Sequence, residues 1–170
     1  MYGYEGNLPF IAMELLQGQL LISIRPSFSD ERRLFTIFFN VCQALEEIHK
    51  LGIVHRDIKP ENIFVIGDEI KIIDFGSVLL PRRRDHFYDT SVGTAGFQSP
   101  EASVAAQNVD HRTDIYSLGV TISYVLCGGF QSLNQIANKA RTARKEERFQ
   151  TAAEMADAIK EAALANGIVL

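Results

Sequence analysis

Four polar side chains that lie close together in the sequence could carry out a reaction. Asp57, Lys59 and Asn62 share one short segment, and Asp74 follows after two apolar runs. Phosphoryl transfer asks little covalent chemistry of a protein, because its barrier falls when a hydroxyl is aligned and phosphate charge is neutralised. We predict that Asp57 orients the hydroxyl or accepts its proton and that Lys59 faces the transferred phosphate. Asn62 and Asp74 supply oxygen ligands of the kind that Mg²⁺ prefers. The predicted catalytic residues are Asp57, Lys59 and Asn62.

The same segment resembles the catalytic core of the eukaryotic-type protein kinases. Residues 55–62 read HRDIKPEN, which matches the family pattern HRDxKPEN, and residues 74–76 read DFG at the usual separation. The resemblance continues downstream, where the Gly-Thr pair at 93–94 and the Ser-Pro-Glu run at 99–101 are similar to the end of the activation segment. Residues 114–119, DIYSLG, resemble the start of the large buried helix of the kinase C-lobe.

Two residues favour the serine/threonine-specific branch of that family, since Lys59 and Thr94 resemble its pattern rather than that of the tyrosine kinases. This resemblance implies ATP and Mg²⁺ as cofactors and a protein as the substrate. Two other interpretations stay open. One is a small-molecule phosphotransferase of the aminoglycoside or choline kinase type, which shares a related catalytic loop. The other is a non-catalytic, kinase-like module that works by binding a partner.

The resemblance also assigns residues to the nucleotide. Residues 9–16 correspond to the last strand of the N-lobe and the hinge, with Met13 at the gatekeeper position. The backbone of Glu14 and Leu16 would then hydrogen-bond the adenine edge. The full set of predicted nucleotide-binding residues is Met13, Glu14, Leu16, Lys59, Asn62, Phe64 and Asp74.

Two parts of the family pattern are not found in these 170 residues, the glycine-rich GxGxxG loop and the VAIK-type lysine. In the family these parts cover and clamp the ATP phosphates. We therefore expect residues 1–170 to form a partial kinase domain that begins at the last N-lobe strand and continues as the C-lobe over residues 17–165. Such a chain should be weak or inactive by itself, unless an upstream segment or a partner supplies the N-lobe.

A regulatory role is implied for Arg56, because an arginine beside the catalytic aspartate is typical of kinases whose activation segment is ordered by phosphorylation. Thr90 or Ser91 is the predicted phosphosite. The basic cluster at 82–84 either pairs with that phosphate or forms part of an ordinary solvated loop.

Further polar residues have structural parts in the resemblance. Thr94 is expected to hydrogen-bond the catalytic aspartate and lysine, and Glu101 to form a buried ion pair with Arg148. Asp114 should cap the large helix and hydrogen-bond the backbone of the catalytic loop. His55 is expected to be buried and to support the ring of the DFG phenylalanine rather than to exchange protons.

A β-hairpin is predicted to bring the two metal ligands together. Apolar runs at 63–66 and 70–73 read as strands, and Gly67-Asp68 between them reads as a tight turn. Such a hairpin would place Asn62 and Asp74 at the same end of adjacent strands. A further short strand is expected at residues 53–54.

Helices are predicted for most of the remaining chain. Apolar residues at spacings of three and four indicate a helix from Ser29 to Leu51, capped by Ser29 or Asp30 and ended by Gly52. This helix is interpreted as scaffold that delivers the chain to the catalytic loop. Residues 9–16 are predicted to form a buried strand, and helices are predicted at 115–127, 131–139 and 151–165. The expected fold is α+β, a mainly helical, kinase-like C-lobe with a short hairpin that carries the catalytic and metal-binding loops.

Composition sets wider limits on the protein. The length of 170 residues fits one domain. A net charge of −4 and a pI of about 5.6 give no reason to expect a nucleic-acid or membrane partner. Cys42 and Cys127 lie in apolar runs and are predicted to be buried free thiols, which favours a reducing compartment. The start of the chain lacks the pattern of a signal peptide, so we expect a cytoplasmic protein.

Overall fold

A computed structural model describes residues 2–24, 31–81, 93–104 and 109–170. The strands in these residues are β1 (Tyr2–Glu5), β2 (Leu8–Ile11), β3 (Gln19–Leu20), β4 (Ile63–Ile66) and β5 (Glu69–Ile72). The α-helices are α1 (Glu31–Lys50), α2 (Pro100–Val104), α3 (Arg112–Leu126), α4 (Gln131–Ala140) and α5 (Ala152–Ala165). Short 3₁₀ turns occur at Leu21–Ser23, Pro60–Asn62, Phe75–Ser77 and Lys145–Glu147. The predicted α+β, mainly helical fold is confirmed.

The long helix α1 forms where the apolar periodicity predicts it. Its buried face includes Leu34, Phe38 and Leu45, which recur at helical spacing. The helix ends at Lys50, and Gly52 follows with a φ of 72° in the left-handed region and an N–H that donates to the carbonyl of His49 at 2.8 Å. The two predicted caps, Ser29 and Asp30, lie outside the described residues.

Buried side chains of α1, α3, α4 and α5 meet in one hydrophobic core. Phe35 and Phe38 of α1, Ile115 and Leu118 of α3, and Met155 of α5 belong to this cluster. Burying a side chain of this size contributes about 1.5–3 kcal/mol relative to leaving it in water. Helix α1 packs against both α5 and β5. The core therefore fixes the surface on which the hairpin of the site rests.

Strands β3, β4 and β5 form a small antiparallel sheet. Residues 63–66 pair with residues 69–72 in the register Ile63↔Ile72, and the Gly67-Asp68 turn between them has a φ of 62° at the glycine. The predicted hairpin is confirmed, with its second strand starting one residue earlier than expected. At residues 53–54 the structure has a single bridge, between Val54 and Leu79, in place of the predicted strand.

The buried strand predicted for residues 9–16 is wrong. Strand β2 ends at Ile11, and all four of its residues are exposed. It pairs with β1, a strand that the apolar-run pattern did not predict, in a hairpin whose turn contains Gly6 at a φ of 62°. Residues 12–17 have no regular secondary structure. The prediction failed because an apolar sequence shows only that a segment could be buried. Among the described elements, none covers residues 9–16.

The two cysteines differ in their surroundings. Cys42 is buried in α1, and burial raises the pKa of its thiol. Cys127 is exposed and follows the last residue of α3 in a left-handed conformation, so the prediction that it is buried is wrong. Both thiols are free, as expected. Among the described helices none is long and apolar enough to cross a membrane.

Candidate active site

The predicted catalytic aspartate lies in a closed network of hydrogen bonds. Asp57 Oδ2 accepts from the side-chain amide of Asn62 at 2.9 Å and lies 2.8 Å from Lys59 Nζ. Asp57 Oδ1 accepts from the backbone N–H of Thr94 at 3.0 Å and from its hydroxyl at 2.8 Å. Lys59 Nζ also donates to the Thr94 hydroxyl at 2.6 Å, so the contacts expected of Thr94 are confirmed.

This network determines the ionisation of Asp57. Burial opposes the charged carboxylate, but hydrogen bonds from Lys59, Thr94 and Asn62 and the charge of Lys59 outweigh it and lower the pKa of the carboxyl. Asp57 is therefore ionised at neutral pH, as a group that accepts or orients a hydroxyl proton must be.

The hairpin brings the backbone of the two predicted metal ligands to the same end of adjacent strands. The backbone N–H of Ile73 donates to the carbonyl of Asn62 at 2.9 Å, which extends the β4–β5 pairing to the residue before Asp74. Both donor bonds described for the Asn62 side chain run to Asp57, so its amide oxygen faces away from that network. Asp74 is exposed and accepts one hydrogen bond, from the N–H of Gly76 at 3.2 Å.

These donors fit magnesium. An amide oxygen and a carboxylate are hard ligands, and Mg²⁺ in phosphoryl-transfer sites takes one or two protein ligands beside phosphate oxygens and water. No cluster of three or more histidine, cysteine or acidic side chains suited to a metal occurs in the described ranges. The metal-binding roles of Asn62 and Asp74 stay predictions.

His55 and Asp114 make buried contacts that support the catalytic loop. The His55 ring is buried and lies edge-on to the ring of Phe75, with centroids 5.0 Å apart, as expected. The carboxylate of Asp114 accepts from the backbone N–H groups of His55 and Arg56, each at 2.8 Å. The predicted backbone contacts of Asp114 are thus confirmed. The predicted capping role is wrong, because α3 starts two residues earlier at Arg112.

Arg56 lies in a left-handed conformation with a φ of 67°, which costs free energy for a residue with a side chain. Its Nε donates at 2.5 Å to the carbonyl of Ser77, the residue that directly follows the DFG residues 74–76. The predicted phosphosites, Thr90 and Ser91, and the arginines at 82–84 lie outside the described residues. The phosphate-binding role of Arg56 therefore stays a prediction.

The predicted hinge residues are largely open to solvent. Met13 has 84% of its surface exposed, Glu14 is exposed and Leu16 is half-buried. This segment nevertheless lies beside the hairpin, because Glu14 Oε2 is 3.2 Å from Lys71 Nζ. Lys71 is the cross-strand partner of Phe64, another residue assigned to the nucleotide.

Gly18 explains how the segment approaches the sheet so closely. A Cβ atom added there would collide with the carbonyl oxygen of Val65 and would lie 3.0 Å from the ring of Phe64. Residues 13–18 and strand β4 therefore border one surface that includes Phe64. Their contacts with a nucleotide stay predictions.

The ion pair between Glu101 and Arg148 is confirmed. Arg148 Nη1 and Nη2 donate to the two carboxylate oxygens of Glu101 at 2.7 and 2.8 Å, and the arginine side chain is fully buried. Its remaining donors bind the backbone carbonyls of Thr142, Arg112 and Ala143. All donors of this guanidinium are thereby satisfied, as a buried charge requires.

Two residues of α1 near the site were not found by sequence reasoning. Asn40 donates to the carbonyl of Asp68 in the hairpin turn at 2.7 Å, and His49 Nε2 lies 2.9 Å from Asp114 Oδ2. The partners are 28 and 65 residues apart, so no local spacing pattern could reveal them.

Comparison with known proteins gives a consistent result. The sequence model of the family described as protein kinase domain matches residues 4–165. The chain is similar to ribosomal protein S6 kinase 2 alpha of Xenopus laevis, with 35% identity over 131 residues that cover 73% of this chain and 18% of that protein. It is also similar to the serine/threonine-protein kinase PknL of Mycobacterium tuberculosis, with 38% identity over 133 residues that cover 74% of this chain and 32% of that protein.

A third relative is the serine/threonine-protein kinase PknB of Mycolicibacterium smegmatis, with 37% identity over 130 residues. That match covers 73% of this chain and 21% of PknB. The aligned part of the chain thus spans no more than about a third of the length of these curated relatives.

Proposed function

The chain belongs to the protein kinase domain family, and from this premise we propose that it carries the catalytic centre of a serine/threonine kinase that transfers the γ-phosphate of ATP to a protein hydroxyl. Relatives described as serine/threonine-protein kinases support this proposal. The observation that carries it is the network in which Asp57 is bound by Lys59, Thr94 and Asn62.

In this proposal the substrate hydroxyl binds beside Asp57. The carboxylate orients the hydroxyl and receives its proton as the oxygen bonds to the γ-phosphorus and the bond to the β-phosphate oxygen breaks, which releases ADP. Lys59 offsets negative charge on the transferred group. Asn62 and Asp74 would hold Mg²⁺, which when bound neutralises charge on the phosphate oxygens.

The proposed activity of these 170 residues alone is weak. The glycine-rich loop and the lysine that clamp the phosphates in this family are not among them. Met13 and Glu14 are exposed, so one side of the proposed nucleotide site is open to water. Water near the phosphates raises the local dielectric constant and weakens each electrostatic contact that would stabilise the transition state. A segment or partner that supplies the remaining lobe would restore the activity.

Nucleotide binding can be tested separately from catalysis. We expect Mg²⁺ and ATP together to raise the melting temperature of the purified chain, and each alone to raise it less. Asp74→Asn should abolish the magnesium-dependent part of this shift. Asp68→Asn, an exposed carboxyl at the far end of the same hairpin, is the matched control and should keep it.

Phosphate transfer is measured with radiolabelled ATP and a mixed protein substrate. Slow labelling of serine and threonine is expected, lost in Asp57→Asn and kept in Asp157→Asn, which changes an exposed carboxyl on α5. Turnover of about 1–100 s⁻¹, the range of complete kinases, would contradict the weak activity proposed for the isolated chain. Absence of both magnesium-dependent binding and transfer would instead favour a non-catalytic binding module. The cytoplasmic location stays part of the proposal.

A further inference from the structure

Two aromatic side chains lie close to the network around Asp57 without taking part in it. The rings of Phe97 and Tyr124 are tilted against each other, with centroids 6.0 Å apart. Tyr124 has 55% of its surface exposed, and Phe97 is half-buried. Neither ring belongs to the hydrophobic clusters formed by the described residues. The pair is therefore an apolar surface that the packing of the core does not explain.

Hydrogen bonds fix Phe97 relative to the catalytic groups. Its N–H donates to the carbonyl of Thr94 at 3.0 Å, which closes a four-residue turn, and its carbonyl accepts from the Ser117 hydroxyl at 2.8 Å. The Cα atoms at the two ends of such a turn lie within about 7 Å of each other. Thr94 in turn bonds Asp57 through its N–H and its hydroxyl. The aromatic pair thus begins one turn away from the carboxylate that is proposed to orient the substrate hydroxyl.

Tyr124 also borders a cavity of about 750 Å³. Other parts of the cavity wall come from Leu21, Ile22 and Ile24, in and directly after the 3₁₀ turn that follows β3. The described lining residues include no aspartate, glutamate, lysine, arginine or histidine. A charged side chain would lose water here without gaining a counter-charge, whereas an aliphatic or aromatic side chain would gain apolar contacts.

We propose that Phe97 and Tyr124 determine which protein substrates the chain accepts, by binding an aliphatic or aromatic side chain of the substrate. An extended chain rises about 3.3 Å per residue, so a side chain about two to four positions from the phosphorylated hydroxyl would reach the two rings. The substrate is the expected occupant because the apolar surface starts at the turn that holds Asp57. The inference rests on the proposed function for the acceptor hydroxyl, but binding to the rings is measurable without any transfer.

A set of peptides tests this specificity. Each peptide has one serine in a glycine and alanine background, with a leucine at one position within about four residues of the serine. We expect leucine at one of these positions to raise kcat/KM about threefold to tenfold over alanine, the range for partly burying one aliphatic side chain. The gain should lie in KM, because the contact is made equally before and during transfer.

Charge and salt distinguish this mode of recognition from an electrostatic one. Lysine or aspartate at the selected position should give no gain over alanine. The preference for leucine should persist in about 0.5 M salt, since screening weakens contacts between charges and leaves apolar burial intact.

The decisive variant is Tyr124→Glu, which places a carboxylate on the proposed surface. We expect this variant to lose the preference for leucine and to favour lysine at the same position, whereas Tyr124→Phe keeps the ring and the preference. Leu164→Glu is the matched control, because Leu164 on α5 is 56% exposed and lies outside the proposed surface. It should keep both the rate and the preference.

Binding without transfer is measured by nuclear magnetic resonance, with alanine in place of the peptide serine. The leucine peptide should shift the ring signals of Phe97 and Tyr124 and leave those of Tyr116, which packs on Arg148, unchanged. Unchanged signals of both Phe97 and Tyr124 would overturn the inference. Equal kcat/KM for all peptides, or a Tyr124→Glu variant that keeps the leucine preference, would also overturn it while the proposed function stands. If the rings bind the leucine peptide selectively but the wild type transfers no phosphate, the binding surface stands and the proposed function fails.

Discussion

Asp57 uses both carboxylate oxygens to join residues that are distant in the sequence. Lys59 and Asn62 come from its own loop, whereas Thr94 comes from the end of the segment after the DFG turn. Because the Thr94 hydroxyl bonds both Asp57 and Lys59, it links the group proposed to orient the substrate hydroxyl to the group proposed to face the phosphate. Removing the Thr94 hydroxyl should therefore disturb both of these side chains at once.

Replacement of Thr94 by valine tests this link. Valine has nearly the same shape but no hydroxyl, so the side-chain bonds to Asp57 and Lys59 are lost and the backbone N–H bond is kept. We expect a fall in kcat of about tenfold to a hundredfold, the effect of losing a hydrogen bond to a charged group. Thr94→Ser restores the hydroxyl and should recover most of the rate; equal rates for the two variants would contradict the prediction.

The buried pair of Glu101 and Arg148 should control stability rather than catalysis. Glu101→Gln leaves the guanidinium of Arg148 buried without its counter-charge. We expect the free energy of unfolding at neutral pH to fall by about 3–5 kcal/mol, measured by urea denaturation. Glu147→Gln breaks the exposed pair with Arg144 and should change stability by less than about 1 kcal/mol.

The same pair predicts the sign of a pH effect. Burial opposes ionisation of Glu101, but hydrogen bonds from Arg148, a backbone N–H and Ser99 lower the pKa of its carboxyl in the folded state. A carboxyl whose pKa is lower in the folded than in the unfolded state adds to the free energy of unfolding at pH values above its ordinary pKa. This contribution is lost as the pH falls from the ordinary pKa through the folded-state pKa. The advantage of the wild type over Glu101→Gln should therefore shrink between about pH 5 and pH 2. A constant difference across that interval would count against the pair.

Among the elements, the β4–β5 hairpin depends on neighbours at both ends. Asn40 of α1 holds its turn at Asp68, while the opposite end carries Asn62 and Asp74. Gly18 lies against strand β4 with no room for a side chain. Hairpins of two short strands are marginal alone, so these contacts decide where the ends of the strands lie.

Gly18→Ala should separate residues 13–18 from strand β4. The added methyl group would collide with the Val65 carbonyl oxygen. Residues 13–18 would therefore have to move away from strand β4 by about the width of a methyl group. We expect the magnesium- and ATP-dependent rise in melting temperature to fall by at least half, with a loss of stability of about 1–3 kcal/mol. Gln17→Ala, at the exposed neighbouring position, should change neither quantity. An unchanged nucleotide-dependent shift in Gly18→Ala would exclude this segment from the nucleotide site.

Local patterns were enough to predict α1, α4, α5 and the β4–β5 hairpin, because each combines a clear period with a glycine or capping signal. Thr151 illustrates this, since its side chain accepts from the N–H of Glu154 at the start of α5. Strand β1 had such signals too. Tyr2 and Tyr4 alternate with Gly3 and Glu5, and Gly6-Asn7 is a hairpin turn sequence.

The site was predictable where its residues are close in sequence and where the family resemblance assigned a distant partner, as it did for Thr94 and Asp114. The HRDIKPEN run and the hairpin turn indicated which groups meet around Asp57. Burial of residues 9–16 was not predictable, because it depends on what covers them. The contacts of Asn40 and His49 depend on the packing of α1 against the hairpin and α3, which forms only when the whole core assembles.

Across the whole molecule, a well-packed helical body contrasts with an N-terminal hairpin that has little support. The body has one core shared by α1, α3, α4 and α5. In the described residues, β1 and β2 pair with each other and with no third strand. Tyr2, Tyr4, Leu8 and Ile11 are each at least 70% exposed. These faces are what the predicted upstream segment or partner would cover.

The β1–β2 hairpin has exposed apolar side chains and free strand edges, and both features favour self-association. The strand edges can hydrogen-bond to another copy of the chain, and the apolar side chains can pack against it. We expect the purified chain to form larger species as its concentration rises, measured by light scattering. Leu8→Lys combined with Ile11→Lys should suppress this association without changing the melting temperature, since neither residue belongs to the core. Leu164→Lys changes a leucine that is 56% exposed on α5 and should leave association unchanged. A melting temperature lowered by several degrees in the double variant would show instead that the hairpin packs on the helical body and stabilises it.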